Sequence, residues 1–421
     1  MEQNAKMRLV TPQRTPRIRF PEFSRNWEKK KLGEVLIDLY NGQTPSRSRL
    51  DFWNGNINWL SSGELNRGVI CKTAEKITKA GQQDAHLRII PAGTFVIAIT
   101  GLEAAGTRGN CAILGLDTTV NQSCMALFPD DKKLNVKFLF KWYEKVGERY
   151  GIIYTQGTKQ QSYNANIIKK MEIFLPSLPE QEKIADFFTA LDEKINAKEK
   201  EIEEVKTLKK GFLQQLFPQE GETVPRLRFT GFSGAWEKKK LGEIAKIIGG
   251  GTPKTNVKEY WNGNINWYSP VEIGNSIYVS NSQRKITKEG LKNSSATILP
   301  ANKTILFTSR AGIGSMAILK TPGATNQGFQ SIVVNDDIAP YFIYSAGDII
   351  KRKAKKVASG STFLEISHKN MEELEIYLPS LPEQEKIADF FTALDEKIEA
   401  MEKQRDALKT MKKGFLQQMF I

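Results

Sequence analysis

Arginine, lysine, glutamine and small hydroxyl side chains gather in a few polar loops of this chain. A guanidinium can donate two parallel hydrogen bonds to a guanine or a phosphate, and a glutamine amide can pair with an adenine. These loops therefore hold our candidate nucleic-acid contacts, although each residue type, taken singly, also serves simply to solvate a protein surface. The candidates are Arg47, Arg49, Arg108, Lys159, Gln160 and Gln161 in the first half, and Lys254, Lys258, Arg310, Lys353, Ser361 and Thr362 in the second.

Signatures of catalysis are missing from the sequence. It has no phosphate-binding loop of the form G-x-x-x-x-G-K-[ST] and no Asn-Pro-Pro run of the kind that marks an amino-methyltransferase site. Asp130 follows a proline, but no Glu-x-Lys stands at a distance that would complete a nuclease site. The only histidines, His86 and His368, fall in different segments. We therefore predict that the chain is not an enzyme by itself and binds no metal ion or cofactor.

Two long helices, repeated along the chain, must position the loops. The segment LPSLPEQEKIADFFTALDEKI occurs at residues 175–195 and again, letter for letter, at residues 378–398. In each copy a serine and a glutamate stand at capping-box spacing, with a proline in the first turn of the predicted helix. Apolar residues then recur at intervals of three and four, as in a coiled-coil seam. In the first copy they are Ile184, Phe188, Leu191, Ile195, Ile202, Val205, Phe212 and Leu216.

Within the identical segment the polar positions match as well as the apolar ones, which a coiled-coil seam alone does not require. We interpret them as an outer surface that binds one kind of partner twice. A recent duplication would keep the same residues, but the segments between the helices belong to that duplication and have diverged. The predicted partner-binding residues are Glu180, Gln181, Lys183 and Asp186, with Glu383, Gln384, Lys386 and Asp389.

Further matching motifs extend the repeat over the whole chain. WEKKKLGE returns at residues 236–243 and WNGNINW at residues 261–267, so Trp59 and Trp267 of the latter motif are interpreted as core residues. A proline-bounded turn and a buried strand are predicted in residues 89–100 and 298–309, which makes each domain mixed α/β. The predicted parts are a basic lead (1–26), a first domain (27–178), a central long helix (179–217), a linker (218–235), a second domain (236–381) and a C-terminal long helix (382–421).

The net charge of +14 is concentrated in the two domains. Residues 27–179 contain 20 basic and 14 acidic residues, and residues 236–382 contain 19 and 12, whereas the helices are slightly acidic. Two basic domains fit two contacts with a polyanion, although charge for solubility would give the same total. No run of eighteen apolar residues and no apolar signal core occurs, so a cytoplasmic protein is expected. The three cysteines lack metal-binding spacing and are predicted to be buried thiols.

Two variable domains, each followed by L-P-S-L-P-E-Q-E-K-I-A and a long helix with K-K-G-F-L-Q-Q, resemble the specificity subunit of type I restriction-modification systems. The resemblance implies that each domain recognises one half of a split, asymmetric duplex DNA site. It also implies that the paired helices set the spacing and dock two modification subunits, which hold S-adenosylmethionine and methylate adenine. Restriction subunits using ATP and Mg would complete the complex. The residues themselves leave open a stand-alone DNA-binding regulator and a coiled-coil adaptor for an acidic protein or RNA.

The expected fold class is α+β, with two long antiparallel coiled-coil helices and a pseudo-two-fold internal repeat. The repeat pairs Ile202 with Arg405 and Lys198 with Met401, so an apolar and a basic residue change places between the helices. Antiparallel packing centred near residue 200 would therefore bring Ile202 beside Met401. A two-fold reader of this kind engages half-sites whose centres are about 34 Å apart.

Overall fold

The computed structural model describes residues 15–102, 106–154, 162–310, 312–360 and 364–421. The chain divides into two compact units, Met1–Lys198 with Gln404–Ile421 and Glu199–Lys403, which we call the first and the second unit. Each unit thus contains one globular domain, the start of one long helix and the end of the other.

The first domain and its helix contain fourteen labelled elements. They are β1 (Glu28–Lys31), β2 (Leu36–Asn41), β3 (Trp53–Leu60), β4 (Val69–Ile70), β5 (Glu75–Ile77), α1 (Lys79–Asp84), β6 (Phe95–Ala98), β7 (Cys111–Leu114), β8 (Thr119–Val120), β9 (Cys124–Pro129), α2 (Val136–Ile153), α3 (Ala165–Lys170), β10 (Glu172–Leu175) and the long helix α4 (Leu178–Gln215).

The core of the first domain lies on both faces of a mixed five-stranded sheet with the order β2-β9-β6-β7-β4. Successive side chains of a strand point to opposite faces, so Phe95 and Ile97 of β6 pack with the aromatic residues of α2 while Val96 packs with Leu60 on the other face. A three-stranded sheet β5-β3-β8 and a two-stranded sheet β1-β10 complete the domain. The buried strand predicted in residues 89–100 is confirmed as β6.

The second domain repeats this plan. Its elements are β11 (Glu237–Lys240), α5 (Leu241–Ile244), β12 (Ala245–Gly249), β13 (Trp261–Tyr268), β14 (Tyr278–Val279), β15 (Arg284–Ile286), α6 (Lys288–Lys292), β16 (Thr304–Phe307), β17 (Met316–Leu319), β18 (Gly323–Thr325), β19 (Gln330–Val334), α7 (Pro340–Ser345), α8 (Gly347–Val357), α9 (His368–Glu372), β20 (Glu375–Leu378) and the long helix α10 (Leu381–Met419). The sheets have the matching orders β12-β19-β16-β17-β14, β15-β13-β18 and β11-β20.

The parts of the two long helices within each unit pack antiparallel. In the first unit the ring of Phe187 lies 5.1 Å from that of Phe415. In the second unit Phe212 lies 5.1 Å from Phe390, and Ile202 and Met401 belong to one buried cluster. The predicted α+β fold class, with its repeat and its two long antiparallel helices, is therefore confirmed, as is the predicted proximity of Ile202 and Met401.

The end of each long helix also fills a domain core, which the seam pattern did not predict. After α10, the ring of Phe420 lies 5.1 Å from Phe138 and 6.3 Å from Trp27 in the first unit. After α4, the ring of Phe217 lies 5.1 Å from Phe342 and 5.9 Å from Trp236 in the second unit. The C terminus of the chain is thus part of the core of the N-terminal domain.

Two of the three cysteines fit the prediction of buried thiols, and one does not. Cys111 and Cys124 are buried, and burial raises the pKa of the Cys111 thiol to about 12 and that of Cys124 further. Cys71 is exposed, because it follows the two-residue strand β4 in a surface loop. None of the helices within the described ranges is long and apolar enough to cross a membrane.

Candidate nucleic-acid interface

The polar loops of the first domain come together at one edge of its sheets. The Gln43 N–H donates to the Val120 carbonyl oxygen at 3.1 Å, the Ile99 N–H to Ser123 at 2.9 Å, and the Tyr163 N–H to Ile99 at 2.8 Å. These backbone bonds join the loops after β2, β6, β8 and α2. We call this edge the loop edge of the first domain.

The second domain has a loop edge made by the equivalent bonds. The Gly251 N–H donates to Thr325 at 2.8 Å, the Ser309 N–H to Gly328 at 2.8 Å, and the Ile366 N–H to Ser309 at 3.0 Å. The same backbone frame therefore presents two different sets of loop side chains.

A glycine and a side-chain hydrogen bond fix the loop after β2 in the first domain and the loop after β12 in the second. A Cβ atom on Gly42 would lie 1.7 Å from the Val120 carbonyl oxygen, so only glycine allows this approach. The Thr44 hydroxyl then donates to the Gln122 side chain, and in the second domain Thr252 does the same to Gln327. The repeated Asn-Gln pairs at 121–122 and 326–327 are the sequence signal for this hydrogen bond, and the sequence-based prediction did not include them.

Two perpendicular tryptophans donate hydrogen bonds to the backbone of the same loop. Trp53 and Trp59 have ring centroids 5.2 Å apart at an interplanar angle of 87°. Their indole N–H groups donate to the carbonyl oxygens of Ser46 and Gln43, each at 3.1 Å. Trp261 and Trp267 repeat this arrangement at 5.1 Å and 88°. Trp59 and Trp267 are buried, which confirms their interpretation as core residues.

A guanidinium covers the tryptophan pair in both domains, but it comes from different positions. The Cζ atom of Arg47 lies 3.7 Å from the Trp53 ring centroid, and that of Arg284 lies 3.6 Å from the Trp261 ring centroid. Arg47 precedes β3, whereas Arg284 begins β15 and occupies the repeat position of Glu75. Sequence reasoning selected Arg47 and missed Arg284, because only a comparison of contacts shows that they cover the same rings.

The two stacked arginines also differ in charge environment. Arg47 donates two hydrogen bonds to the Glu75 carboxylate, which hold the pKa of Glu75 below its ordinary value. Among the described residues no carboxylate forms an ion pair with Arg284. Arg284 is exposed, so its positive charge is available to a phosphate or a base.

Arg49 and Arg108, the other described candidates of the first domain, differ in exposure. Arg49 is exposed, forms an ion pair with Asp51 at 2.7 Å and covers the Phe52 ring. Arg108 is half-buried, and its side chain packs against Gly151 of α2, since a Cβ on that glycine would lie 3.1 Å from the Arg108 Cγ. The candidates Lys159, Gln160 and Gln161 lie outside the described residues.

In the second domain the structure places three candidates in loop-edge loops and one elsewhere. Lys254 and Lys258 are exposed, and Arg310 lies 4.0 Å from Glu365. The Lys353 ammonium group instead donates to the Glu375 carbonyl oxygen at 2.6 Å, beside β20. Burial there lowers the Lys353 pKa. Because its ammonium group lies beside β20, Lys353 is not part of the loop edge. Ser361 and Thr362 lie outside the described residues.

Four of the helix residues predicted to face a partner are not on the outer surface. Glu180 is 1% exposed and accepts two hydrogen bonds from Arg19, both at 2.7 Å. Glu383 is equally buried and accepts two from Arg228, also at 2.7 Å. The repeated acid thus fastens the preceding PRIRF or PRLRF segment to the start of its helix.

The neighbouring glutamines are likewise internal. Gln181 is 1% exposed, accepts a hydrogen bond from the Asn135 N–H at 2.9 Å and donates to the Lys133 carbonyl oxygen. Gln384 accepts from the Ala339 N–H at 3.1 Å. The prediction of an outer position for Glu180, Gln181, Glu383 and Gln384 is therefore wrong, because these amides and acids satisfy buried backbone and guanidinium groups.

The other four predicted helix residues are exposed. Lys183, Asp186, Lys386 and Asp389 lie on the outer faces of α4 and α10. Lys183 forms an ion pair with Glu22 of the lead. Binding of a partner by these four residues stays a prediction.

In the described part of the chain no group of His, Cys, Asp and Glu residues could hold a metal ion. The interface is instead a set of cationic and amide side chains on two rigid loop edges. Such an arrangement can neutralise phosphates and donate hydrogen bonds to base edges.

Comparison with known proteins agrees with this geometry. The family model described as the type I restriction modification DNA specificity domain matches residues 24–207 and 234–410. The chain belongs to this family. The two matched copies of the specificity domain correspond to the two repeats, and each carries one loop edge.

Individual members of the family support the assignment. The specificity subunit of the type I restriction enzyme MjaIX from Methanocaldococcus jannaschii is 39% identical over 193 residues, which is 44% of each chain and so less than two thirds of that relative. A putative MjaX specificity subunit from the same organism is 23% identical and is aligned over 94% of this chain and 93% of its own length. The crystal structure of a type I S subunit from M. genitalium has the same fold, with a TM-score of 0.60, 18% identity and coverage of 97% of this chain and 99% of that one.

Proposed function

We propose that this chain is the DNA-recognition subunit of a type I restriction-modification complex and that each domain reads one half of a split duplex site. The observation that supports this proposal is the pair of loop edges. An identical frame of backbone hydrogen bonds and tryptophans carries different cationic and amide side chains in the two domains. The two half-sites should therefore differ in sequence.

The frame explains how reading can be specific. Loops fixed by backbone hydrogen bonds and indole N–H groups present arginine and lysine side chains without a large ordering cost on binding. Phosphate contacts set the position of the duplex, while bidentate arginine and amide contacts discriminate bases. The two long helices set the separation of the half-sites, for which we expect about one helical turn, ~34 Å between centres.

The partners follow from the same proposal. Two modification subunits dock on the exposed helix faces, one around Lys183 and Asp186 and the other around Lys386 and Asp389. The two faces have identical sequences, so they can bind two copies of the same partner. The modification subunits hold S-adenosylmethionine and methylate adenine in the cytoplasm. Restriction subunits that use ATP and Mg add cleavage, so this chain contributes recognition and no catalysis of its own.

Adenine methylation mapping tests the proposal. The chain is co-expressed with the methyltransferase subunit encoded beside it, and methylated adenines are located on random-sequence DNA by single-molecule sequencing. We expect one split motif, methylated in both halves only when this chain is present. A stable complex that methylates no motif would contradict DNA recognition and leave the helices as a docking scaffold.

A matched pair of variants makes the test specific for each domain. The double substitution Lys254→Ala and Lys258→Ala should relax only the half of the motif read by the second domain. The corresponding change of Arg47→Ala and Arg49→Ala should relax only the other half. Loss of both half-sites in either variant would argue that the domains do not read independently.

A further inference from the structure

Helix α8 of the second unit carries a strongly basic surface that is separate from the residues of the loop edge. Its sequence GDIIKRKAKKV, Gly347–Val357, has five basic residues and one acidic residue. Two of these basic residues have partners within the unit, since Lys353 donates to the Glu375 carbonyl oxygen and Lys356 forms an ion pair with Glu220. The other three are Lys351, Arg352 and Lys355.

These three side chains line one groove together with the end of α4. The groove has a volume of about 370 Å³ and is also lined by Lys210, Gln214 and Asp348. Among the described residues that line it, Asp348 is the only one with a carboxylate. Four cations facing one acid leave the groove with a positive charge, which a polyanion would neutralise.

The groove adjoins the loop edge of the second domain through Lys351. A Cβ atom on Gly314 would lie 2.4 Å from the Lys351 Cγ, so the Lys351 stem rests directly on the loop that follows β16. Lys355 lies one helical turn further, about 6 Å along the axis. A duplex bound at the loop edge would therefore have its backbone beside these side chains.

The first unit provides an internal comparison at the same place. Phe138 of α2 and Phe342 of α7 each lie 5.1 Å from the phenylalanine that ends a long helix, which aligns the two units at an offset of 204 residues. Lys351, Arg352 and Lys355 then correspond to Gly147, Glu148 and Gly151. Residues 143–153 contain two basic and two acidic residues, so the basic surface is not required by the shared fold.

The position of the helix end explains only part of the charge. Basic residues in the last turn interact favourably with the negative end of the helix dipole, which accounts for Lys355 and Lys356. Lys351 and Arg352 lie in the middle of α8, and Lys210 belongs to another helix.

We propose that Lys351, Arg352 and Lys355 bind phosphates of the DNA backbone beside the half-site of the second domain, and that the equivalent turns of α2 in the first domain provide no counterpart. The inference rests on the proposed DNA-recognition function and adds an asymmetry to it. The second domain supplies more of the sequence-independent affinity, while the bases are read by the loop edges. The occupant is DNA because Lys351 connects the positively charged groove to a loop of the reading edge.

Salt-dependent binding of the full-length chain to a fluorescent duplex tests this inference. Anisotropy is measured from about 50 to about 200 mM salt for the wild type and for the variant Lys351→Gln/Arg352→Gln/Lys355→Gln. The slope of log K against log salt is negative, and each lost phosphate contact lowers its magnitude by about 0.9. We therefore expect the magnitude of the slope to decrease by about 2 to 3. The decrease should be the same for target and random duplexes, because phosphate contacts carry no base information.

A control variant removes the same charge elsewhere in the second domain. Lys239→Gln/Lys246→Gln/Lys303→Gln changes three lysines outside the groove and the loop edge, of which Lys246 and Lys303 are exposed and Lys239 is half-buried. Its slope should equal that of the wild type. Far-UV circular dichroism and thermal unfolding show that both variants are folded. An equal decrease in both variants would mean that general charge, and not this groove, is responsible.

Photo-crosslinking provides a second, position-specific measurement. A photoreactive group is attached to Arg352→Cys or to Glu148→Cys, the matched position of the first unit, in a Cys71→Ser background that removes the exposed native thiol. We expect crosslinks to DNA only from position 352. Crosslinks from both positions, or from neither, would overturn the asymmetry.

The outcomes separate this inference from the proposed function. A wild-type chain that binds no duplex at any salt concentration would contradict DNA recognition itself. Wild-type binding with an unchanged slope in the α8 variant would refute only the phosphate-binding role of the groove.

Discussion

Replacing Phe420 by alanine should destabilise the first unit and leave the second unit unchanged. Phe420 is 3% exposed, and its ring lies among those of Phe138, Trp27 and Phe188, at centroid distances of 5.1, 6.3 and 6.0 Å. All four residues belong to the first unit. The residue that follows α10 is therefore a structural part of the first domain.

The size of the effect follows from the burial. Replacing a fully buried phenylalanine by alanine costs about 3–5 kcal/mol, because apolar area is lost and a cavity remains. Since about 1.4 kcal/mol corresponds to a factor of ten, amides that exchange through opening of the first unit should exchange on the order of 10²- to 10⁴-fold faster.

Hydrogen exchange followed by mass spectrometry measures this effect separately in each unit. Peptides covering β6 (Phe95–Ala98) should lose protection in Phe420→Ala, while peptides covering β16 (Thr304–Phe307) should keep it. The matched variant Phe217→Ala, whose ring packs against Phe342 and Trp236, should show the reverse pattern. Unchanged protection of β6 in Phe420→Ala, or equal losses in both strands, would refute the assignment of the C terminus to the first core.

Three further predictions concern single side chains. Glu180→Gln should lower the free energy of unfolding by about 2–4 kcal/mol in denaturant titrations, because it removes one partner of a buried ion pair, without weakening binding of a modification subunit. Burial lowers the pKa of Lys145 from 10.5 to about 8, so in that pH range the unfolded chain binds its proton more tightly and the wild type should gain stability relative to Lys145→Gln as the pH rises. Arg284→Gln should weaken duplex binding about tenfold in anisotropy titrations, and Arg47→Gln should weaken it less, because Glu75 already neutralises Arg47.

Each of these predictions has a clear contrary result. A folded Glu180→Gln protein that loses its modification subunit would restore that residue to the docking surface. A stability difference between wild type and Lys145→Gln that stays constant from pH 8 to pH 10.5 would show that the ammonium group is hydrated in the folded state. Equal effects of the two arginine substitutions would mean that the carboxylate does not matter for binding.

Sequence periodicity predicted the repeated architecture well, because the helices and the β6 strand carry dense local signals. The helix seam follows a regular spacing of Ile184, Phe188 and Ile195, all of which are buried. The exchange of an apolar and a basic residue in the repeat even placed Ile202 with Met401. These features depend on residues close in sequence or on a two-fold relation visible in the repeat.

The inference from identity to surface exposure failed for a physical reason. An identical polar residue is compatible with a partner-binding surface and with a buried bond that both repeats need. Glu180 and Gln181 are of the second kind, since their partners Arg19 and Asn135 lie 161 and 46 residues away. No local pattern reports such a distant donor.

Only part of the candidate interface could be predicted from the sequence, again because some of its contacts join residues that are distant in the chain. Polar loops could be found in the sequence, and the structure joins them through backbone bonds such as Ile99 to Ser123. Of the basic residues of α8, the sequence-based prediction selected only Lys353, whose ammonium group donates to the Glu375 carbonyl oxygen. Which face of a basic helix is open depends on packing, and sequence composition carries no information on that face.

The shared tryptophan pair suggests how members of this family could acquire new targets. The tryptophan pair is covered by an arginine from the segment before β3 in the first domain and by an arginine from β15 in the second. Both positions reach equivalent tryptophan rings, so moving an arginine from one position to the other requires no change of the backbone. Thr255 stands at the repeat position of Arg47. A laboratory library that varies only residues 47, 75, 255 and 284 would therefore explore altered recognition while the tryptophan pair of each domain is kept.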